Sequence, residues 1–400
     1  MKKILVFTAG FGEGHNTAAR NIRDAIEMVA PDEARVEILD LFDECYGKFN
    51  DWMRKAYLTA INRAPRVWGK IYDLMDNTGV VKQNLSMLKK MRGTMSDLLL
   101  RVQPDAVVST YPAYNYLIDS IFQEGRQRQF SQITVVTDSI TINSVWHRCG
   151  SDYFLVPNEP TAEVMIRAGV EEERIKVFGF PVTPQFCDPQ MQGQRLPPSA
   201  QEPRRVLYMV NSGKKEAHRI VRKLLKEPSL HLTVTAGRDT ALRQRIDHEI
   251  KDHCDRASVL GWTNKMPELL MSHHLVISKA GGATVQEAIA ARTPMIISQV
   301  VPGQEEGNAR LLLEQQAAIL APDADAVVDA VQDIFAKDNR AWHGFYEQIS
   351  KLSRPSASLD IARFILEKAL PDNTPPRTLP AFDRQQEGSA SSQSGLLLCD

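Results

Sequence analysis

Cysteine is scarce in this sequence and poorly placed for pairing. The five residues Cys45, Cys149, Cys187, Cys254 and Cys399 are scattered, odd in number and never spaced CxxC, so free thiols in a reducing compartment are expected rather than a disulfide framework. An excess of charge of either sign is missing too. The formal net charge over 400 residues is -1, which excludes a globally basic nucleic-acid binder and leaves any anionic partner to a local patch. No apolar run reaches the length of a membrane span, and the mean hydropathy of -0.28 agrees. Lys2 and Lys3 precede Ile4-Leu5-Val6-Phe7 as in a signal peptide, but the run ends at once in Thr8-Ala9-Gly10. A first strand and a cytoplasmic protein are expected. Metal-ligand spacing is also absent: His248 to His253 does not fit a zinc-protease helix, and the neighbours His273 and His274 point to different faces. No metal site is assigned.

What is present allows two domains of ordinary size, each with its own core. The most informative stretch is VISKAGGATVQEAIAARTPMIISQVVPGQEEGNARLLLE, from Val276 to Glu314. It predicts a buried strand over Leu275 to Ser278, a glycine turn, and a helix from about Ala283 to Ala291 stopped by Thr293-Pro294. A second strand over Met295 to Ser298 and a polar loop opening another helix follow. Two strands joined through one helix are a parallel βαβ unit, whose ligands lie beyond the carboxyl ends of the strands. Gly281 and Gly282 would let a ligand approach the backbone, and the amides of Ala283 and Thr284 begin a helix suited to an anion such as a diphosphate. Glu287, one turn further in, can accept from two neighbouring hydroxyls, as a ribose offers. Gln304, Glu305 and Asn308 supply neutral and acidic acceptors that suit sugar hydroxyls. The plainer alternative is a helix cap followed by a solvated loop.

Lys3 to Thr8 predicts a strand, and Ala9-Gly10-Phe11-Gly12-Glu13-Gly14-His15 turns into a helix beginning near Asn16. The turn imitates a dinucleotide fingerprint without the GxGxxG spacing, with Asp40 as the nearest ribose acid, so a dehydrogenase is a weak alternative. A histidine at a helix N-terminus stays neutral beside the positive dipole end and can take a proton, although it can equally serve only as a cap. From Lys48 to Arg101 eleven basic residues face four acidic ones, interleaved with Phe49, Trp52, Tyr57, Trp68 and Tyr72. That composition suits the headgroup layer of an anionic membrane, or a solvated helix with its aromatics on the core. Beyond Pro371 the chain is rich in Pro, Gln, Ser and Gly, and disorder to Asp400 is expected.

KAGGATVQEA followed by PGQEEGNA resembles the donor half of the family of monogalactosyldiacylglycerol synthases and processive diacylglycerol glucosyltransferases. The lipid II N-acetylglucosaminyltransferase of peptidoglycan synthesis is a more distant likeness. FGEGH, VVTDSITINSVWHRCGSDYFLVPNE and IKVFGFPVTPQF extend the match over nearly all of Lys3 to Leu370. The resemblance implies a GT-B fold of two doubly wound α/β domains facing a cleft. Its expected parts are an acceptor domain over 1–200, a donor domain over 201–354 and a helix over 355–370 crossing back. The implied activity is inverting and metal-independent transfer of a hexose from a UDP-sugar to diacylglycerol, with no cofactor. His15 becomes the general base, with Gly14, Asp138 and Trp146 on the acceptor side. Trp262 and Thr263 offer backbone to the uracil, while the family's richer glycine loop is reduced here to Gly213. The resemblance further implies membrane contact through 48–101 at the inner face of the cell membrane. Two rivals stay open: a UDP-GlcNAc-type transferase to another lipid, and a UDP-sugar sensor without catalysis.

Overall fold

The computed structural model describes residues 1–11, 13–47, 89–122, 128–140, 142–192, 197–199, 203–211, 214–301 and 305–370. Short runs of branched apolar residues make the strands, and the innermost are buried on both faces: Ile4, Leu5, Val6 and Phe7 are each at most 1% exposed. Continuous burial of this kind belongs to parallel strands covered by helices on both sides. The first half contributes β1 (Lys2–Phe7), α1 (Glu13–Val29), β2 (Ala34–Leu39), α2 (Leu41–Tyr46) and α3 (Lys89–Val102). It continues through β3 (Ala106–Ser109), α4 (Ala113–Ile121), β4 (Ser131–Val135), β5 (Tyr153–Val156), α5 (Glu159–Arg167) and β6 (Ile175–Val177). These strands form one sheet in the order β2-β1-β3-β4-β5-β6, in which every pair is parallel.

The second half builds a separate parallel sheet, ordered β12-β11-β10-β7-β8-β9. Its elements are β7 (Arg204–Met209), α6 (Lys214–Leu224), β8 (Leu230–Thr235), α7 (Thr240–Ile250), β9 (Ala257–Leu260) and α8 (Met266–Ser272). Then come β10 (Leu275–Lys279), α9 (Gly282–Ala290), β11 (Met295–Gln299), α10 (Glu306–Glu314), β12 (Ala318–Leu320) and α11 (Ala324–Leu352). Helix α11 breaks at Ala336 to Asn339, where Lys337, Asp338 and Asn339 take positive φ and Asn339 Nδ2 donates to the Pro198 carbonyl at 3.0 Å. The last helix, α12 (Ala357–Lys368), packs against α1: Ile361, Ala362 and Ile365 share a core with Ile22, Ala25 and Ile26.

Strand order reverses between β1 and β3 in the first sheet and between β10 and β7 in the second, and such reversals open a crevice at the carboxyl ends of the strands. The two crevices face each other. Ala18 of α1 joins the apolar cluster of Val285 and Ala288 from α9, and Gln286 Nε2 donates to Ser139 Oγ at 3.1 Å. Among the described residues no helix is long and apolar enough to cross a membrane.

Of the basic stretch from Lys48 to Arg101, residues 48–88 lie outside the described residues. The remainder is α3, whose Met91, Met95, Leu98 and Leu99 are buried in the core with Leu5 and Phe7. This end of the stretch covers a sheet, so the membrane reading does not extend to it. The expected tail beyond Pro371 is likewise outside the described residues.

Candidate functional site

Helix α1 begins at Glu13, three residues before the expected Asn16, because Glu13 and Gly14 already take helical geometry. Gly14 and His15 therefore stand in its first turn. At Gly14 an added Cβ would meet nothing within 4 Å, so neither packing nor a positive φ demands glycine in this helix, where it costs about 1 kcal/mol against alanine. The position leaves open space where a side chain would stand. The imidazole Nδ1 lies 2.9 Å from the Thr110 carbonyl and 2.8 Å from Thr137 Oγ1. A carbonyl oxygen only accepts, so Nδ1 carries the proton and Nε2 keeps a lone pair. Burial holds the His15 pKa below the usual histidine value, while the Asp138 carboxylate and the Thr110 carbonyl oppose that shift. The ring is thus neutral at pH 7, and Asp138 is placed to favour the imidazolium once a proton arrives.

Asp138 is held in turn. Trp146 Nε1 donates to its Oδ2 at 2.7 Å. Trp146 itself is only 1% exposed and packs with Val136, Phe154 and Val156. The expectation that Trp146 lines the cleft is corrected: its ring is core, and it serves the site by orienting Asp138. Tyr111, which follows Thr110 at the end of β3, meets the His15 ring edge-on at 5.1 Å.

Across the cleft, β10 ends in Lys279 and the chain turns through Ala280 and Gly281 into α9. Gly281 has φ -66 and ψ 136, an extended conformation open to any residue. A Cβ there would make only ordinary contacts, 3.6 Å to Lys279 Nζ and 3.7 Å to Glu305 Oε1. At Gly282 it would sit 3.6 Å from Asn308 Nδ2 and 3.7 Å from the Thr137 carbonyl. The fold requires glycine at neither position, and neither carries a side chain that would cover the amides at the start of α9. The contact with Thr137 also joins the two halves, since the hydroxyl of that residue meets His15.

Asn308 reinforces the point. It is 4% exposed, its Nδ2 donates to the Ala280 carbonyl at 3.3 Å, and its Oδ1 has no partner among the described residues. An orphaned buried acceptor beside an open helix end is a place for a ligand hydroxyl. Glu287 is half-buried and has no hydrogen-bond or ion-pair partner among the described residues; burial raises its pKa to about 7. Glu305 departs from the expected role as a waiting sugar acceptor. It is 5% exposed, one oxygen pairs with Lys279 and the other accepts from the Val301 amide at 3.0 Å.

The remaining predicted residues spread along the same edge. Trp262 follows β9 and is 65% exposed, with the Arg238 guanidinium 5.8 Å from its ring centre, and Thr263 Oγ1 accepts from the Lys265 amide at 3.0 Å. Three strand spacings, roughly 14 Å, separate β9 from β10. A cavity of about 570 Å³ fills the ends of β7 and β8 between them, lined by Asn211, Lys214, Gly237, Arg238 and Asp239 among others. Gly213 and Gln304 lie outside the described residues. Asp40, the weak dinucleotide acid, accepts from the Gly10 amide at 2.8 Å and caps α2 through the Phe42 and Asp43 amides. Its oxygens are occupied by the fold.

Sequence reading missed Thr110, Thr137 and Lys279. Thr110 and Thr137 are unremarkable residues at strand ends, and only the sheet order brings them to His15. Lys279 did carry a signal, a cation closing a strand directly before a glycine turn. Among the described residues no group of three His, Cys, Asp or Glu could hold a metal ion.

Known proteins align with both halves. Residues 15–182 match the model of monogalactosyldiacylglycerol synthase, and residues 210–354 match the glycosyltransferase family 28 C-terminal domain. The processive diacylglycerol beta-glucosyltransferase of Bacillus subtilis is 23% identical over 372 residues, covering 92% of this chain and 96% of the relative. Monogalactosyldiacylglycerol synthase 3 of Arabidopsis thaliana is 25% identical over 381 residues, covering 91% and 81%. In fold, Acinetobacter baumannii MurG aligns with a TM-score of 0.60 at 12% identity, over 92% of this chain and all of that one. The architecture is GT-B, two Rossmann-like domains across a cleft. With one matched model on each half of that cleft, the chain joins a monogalactosyldiacylglycerol synthase domain to a glycosyltransferase family 28 C-terminal domain, and it is similar over most of its length to processive diacylglycerol glucosyltransferases.

Proposed function

We propose that this chain transfers a hexose from a UDP-sugar to the 3-hydroxyl of diacylglycerol, inverting the anomeric centre to a β-glycoside. One observation carries the reading: the glycine turn of the second half abuts Thr137, which shares the Nδ1 proton of His15. A donor on the turn and a base on α1 then address the same volume. The diphosphate lies at the amino end of α9 against Gly281, Gly282, Ala283 and Thr284. Glu287 takes the ribose hydroxyls, and the nucleoside runs along the strand ends towards Trp262 and Thr263. Asn308 faces the hexose.

His15 Nε2 accepts the proton of the acceptor hydroxyl as its oxygen attacks the anomeric carbon. The bond to the β-phosphate oxygen breaks, and its electron pair leaves with UDP. Helix amides and nearby cations stabilise that charge. The acceptor enters from a membrane surface at the first half, with residues 48–88 as the contact, and the protein works peripherally on the cytoplasmic face.

The test is UDP release by purified protein with diacylglycerol in anionic liposomes, followed by mass spectrometry of the lipid. A β-hexosyl diacylglycerol is expected. A product on another lipid would replace the acceptor, and tight UDP-sugar binding with no product on any lipid would leave a sensor. Gly281→Ala probes the turn. Its methyl fits without a clash, so the melting temperature should stay within a few degrees while KM for the donor rises about tenfold, measured by initial rates.

A further inference from the structure

Among the described residues Lys279 is the cation that meets the glycine turn, and it is not free to act there. Its side chain is 28% exposed and ion-paired with Glu305, whose side chain is 7% exposed. The pair forms the floor of the turn, since a Cβ on Gly281 would meet both partners, Lys279 through Cε and Nζ and Glu305 through Oε1. Glu305 has a second tie, the Val301 amide on its Oε2. Breaking the ion pair therefore leaves Glu305 anchored by one oxygen, with the other available beside Asn308, whose own Oδ1 has no partner among the described residues.

On the reading that a UDP-sugar diphosphate binds at the amino end of α9, we propose that Lys279 changes partner during the reaction cycle. The ammonium leaves Glu305 for the diphosphate, where it stabilises the charge left on UDP as the glycosidic bond breaks. Glu305 Oε1, released, accepts a hydroxyl of the hexose. Lys279 transfers no proton; it is a catalytic cation, and the electron pair of the broken bond stays on the β-phosphate oxygen beside it. Charge balance supports the exchange: the diphosphate brings negative charge next to a carboxylate 7% exposed, and the two anions would repel at close range unless the cation sits between diphosphate and protein. The exchange also ties sugar recognition to the diphosphate. UDP alone and UDP-hexose both draw Lys279 away, but only the hexose repays the exposed Glu305 oxygen with a hydrogen bond.

The experiment is calorimetric binding of uridine, UDP and UDP-hexose, with turnover, for wild type, Lys279→Ala, Lys279→Arg and Glu305→Gln, each checked by thermal melting. Lys279→Ala is expected to lower UDP affinity and kcat each on the order of 100-fold while uridine affinity is unchanged. Lys279→Arg should recover most of the UDP affinity. Glu305→Gln keeps an acceptor for the Val301 amide but gives up the ion pair, so it should bind UDP several-fold more tightly while its preference for UDP-hexose over UDP shrinks. Equal UDP affinity in wild type and Lys279→Ala, or weaker UDP binding in Glu305→Gln, overturns the exchange. Wild type that binds no UDP would instead overturn the donor site beneath it, so the two failures are distinguishable.

Discussion

Replacing His15 with alanine should lower kcat for glycosyl transfer by about 10³-fold and leave donor affinity within a factor of two. The size follows from the role: a hydroxyl attacks poorly unless its proton leaves as the bond forms, and Nε2 is the lone pair the Thr110 carbonyl leaves available. The imidazole also holds two neighbours, so lost turnover could arise from a disturbed α1. His15→Asn separates the two effects, because its amide can still donate to the Thr110 carbonyl while lacking a base. Both variants should be equally slow, with unchanged UDP-sugar binding by calorimetry. Recovery of rate in His15→Asn would reduce His15 to a structural part. The acid limb of the wild-type kcat profile should lie below the usual histidine pKa, since burial lowers it. Activity rises with pH through that value because the neutral ring is the active form.

The second large effect belongs to Glu287, and it has two readouts of opposite sign. Its carboxyl titrates near pH 7 because burial disfavours the charged form without a cation to compensate. Ribose hydroxyls donate to the carboxylate, so donor KM should rise as pH falls from 8 to 6, and the slope should vanish in Glu287→Gln. That variant should show a KM raised on the order of 30-fold at pH 8, from two weakened charge-assisted hydrogen bonds. Stability moves the other way. A carboxyl whose folded pKa lies above its unfolded value favours the fold at pH below about 4.5, and this contribution is lost as pH rises through 7. Removing the charge should therefore raise the melting temperature at pH 8, by an effect of up to roughly 3 kcal/mol, and leave it unchanged at pH 4. A variant more stable and worse at binding marks a group retained for its ligand. Equal KM in wild type and Glu287→Gln at both pH values would remove the ribose contact.

Much of the fold could be read locally. The strand at Leu275–Lys279, the helix stopped before Thr293-Pro294 and the closing helix near Ser356 follow from apolar period and breaker residues, and they lie within a residue or two of where they were expected. The start of α1 was misplaced because the glycine of Glu13-Gly14 reads as a turn, whereas it takes helical geometry with open space where a side chain would stand. Trp146 was misassigned for a related reason. An isolated tryptophan after a Thr-Asp pair carries no sign of which way its ring faces, and only packing against Phe154 and Val156 settles it. Glu305 reads as an acceptor from its type and position, but its partner Lys279 lies 26 residues away and meets it only because β10 and β11 are adjacent.

Order along the chain was enough to determine the βαβ repeats, the glycine turns and the residue types able to grip a phosphate or take a proton, because these depend on contacts within a few residues. Tertiary structure alone decided which of those residues meet. Strand order carries Thr110 to His15, and domain packing carries Thr137 against Gly282. The same assembly buries Glu287 with no cation paired to it among the described residues, and a burial cost of that kind is a property of surroundings, which no short stretch of sequence contains.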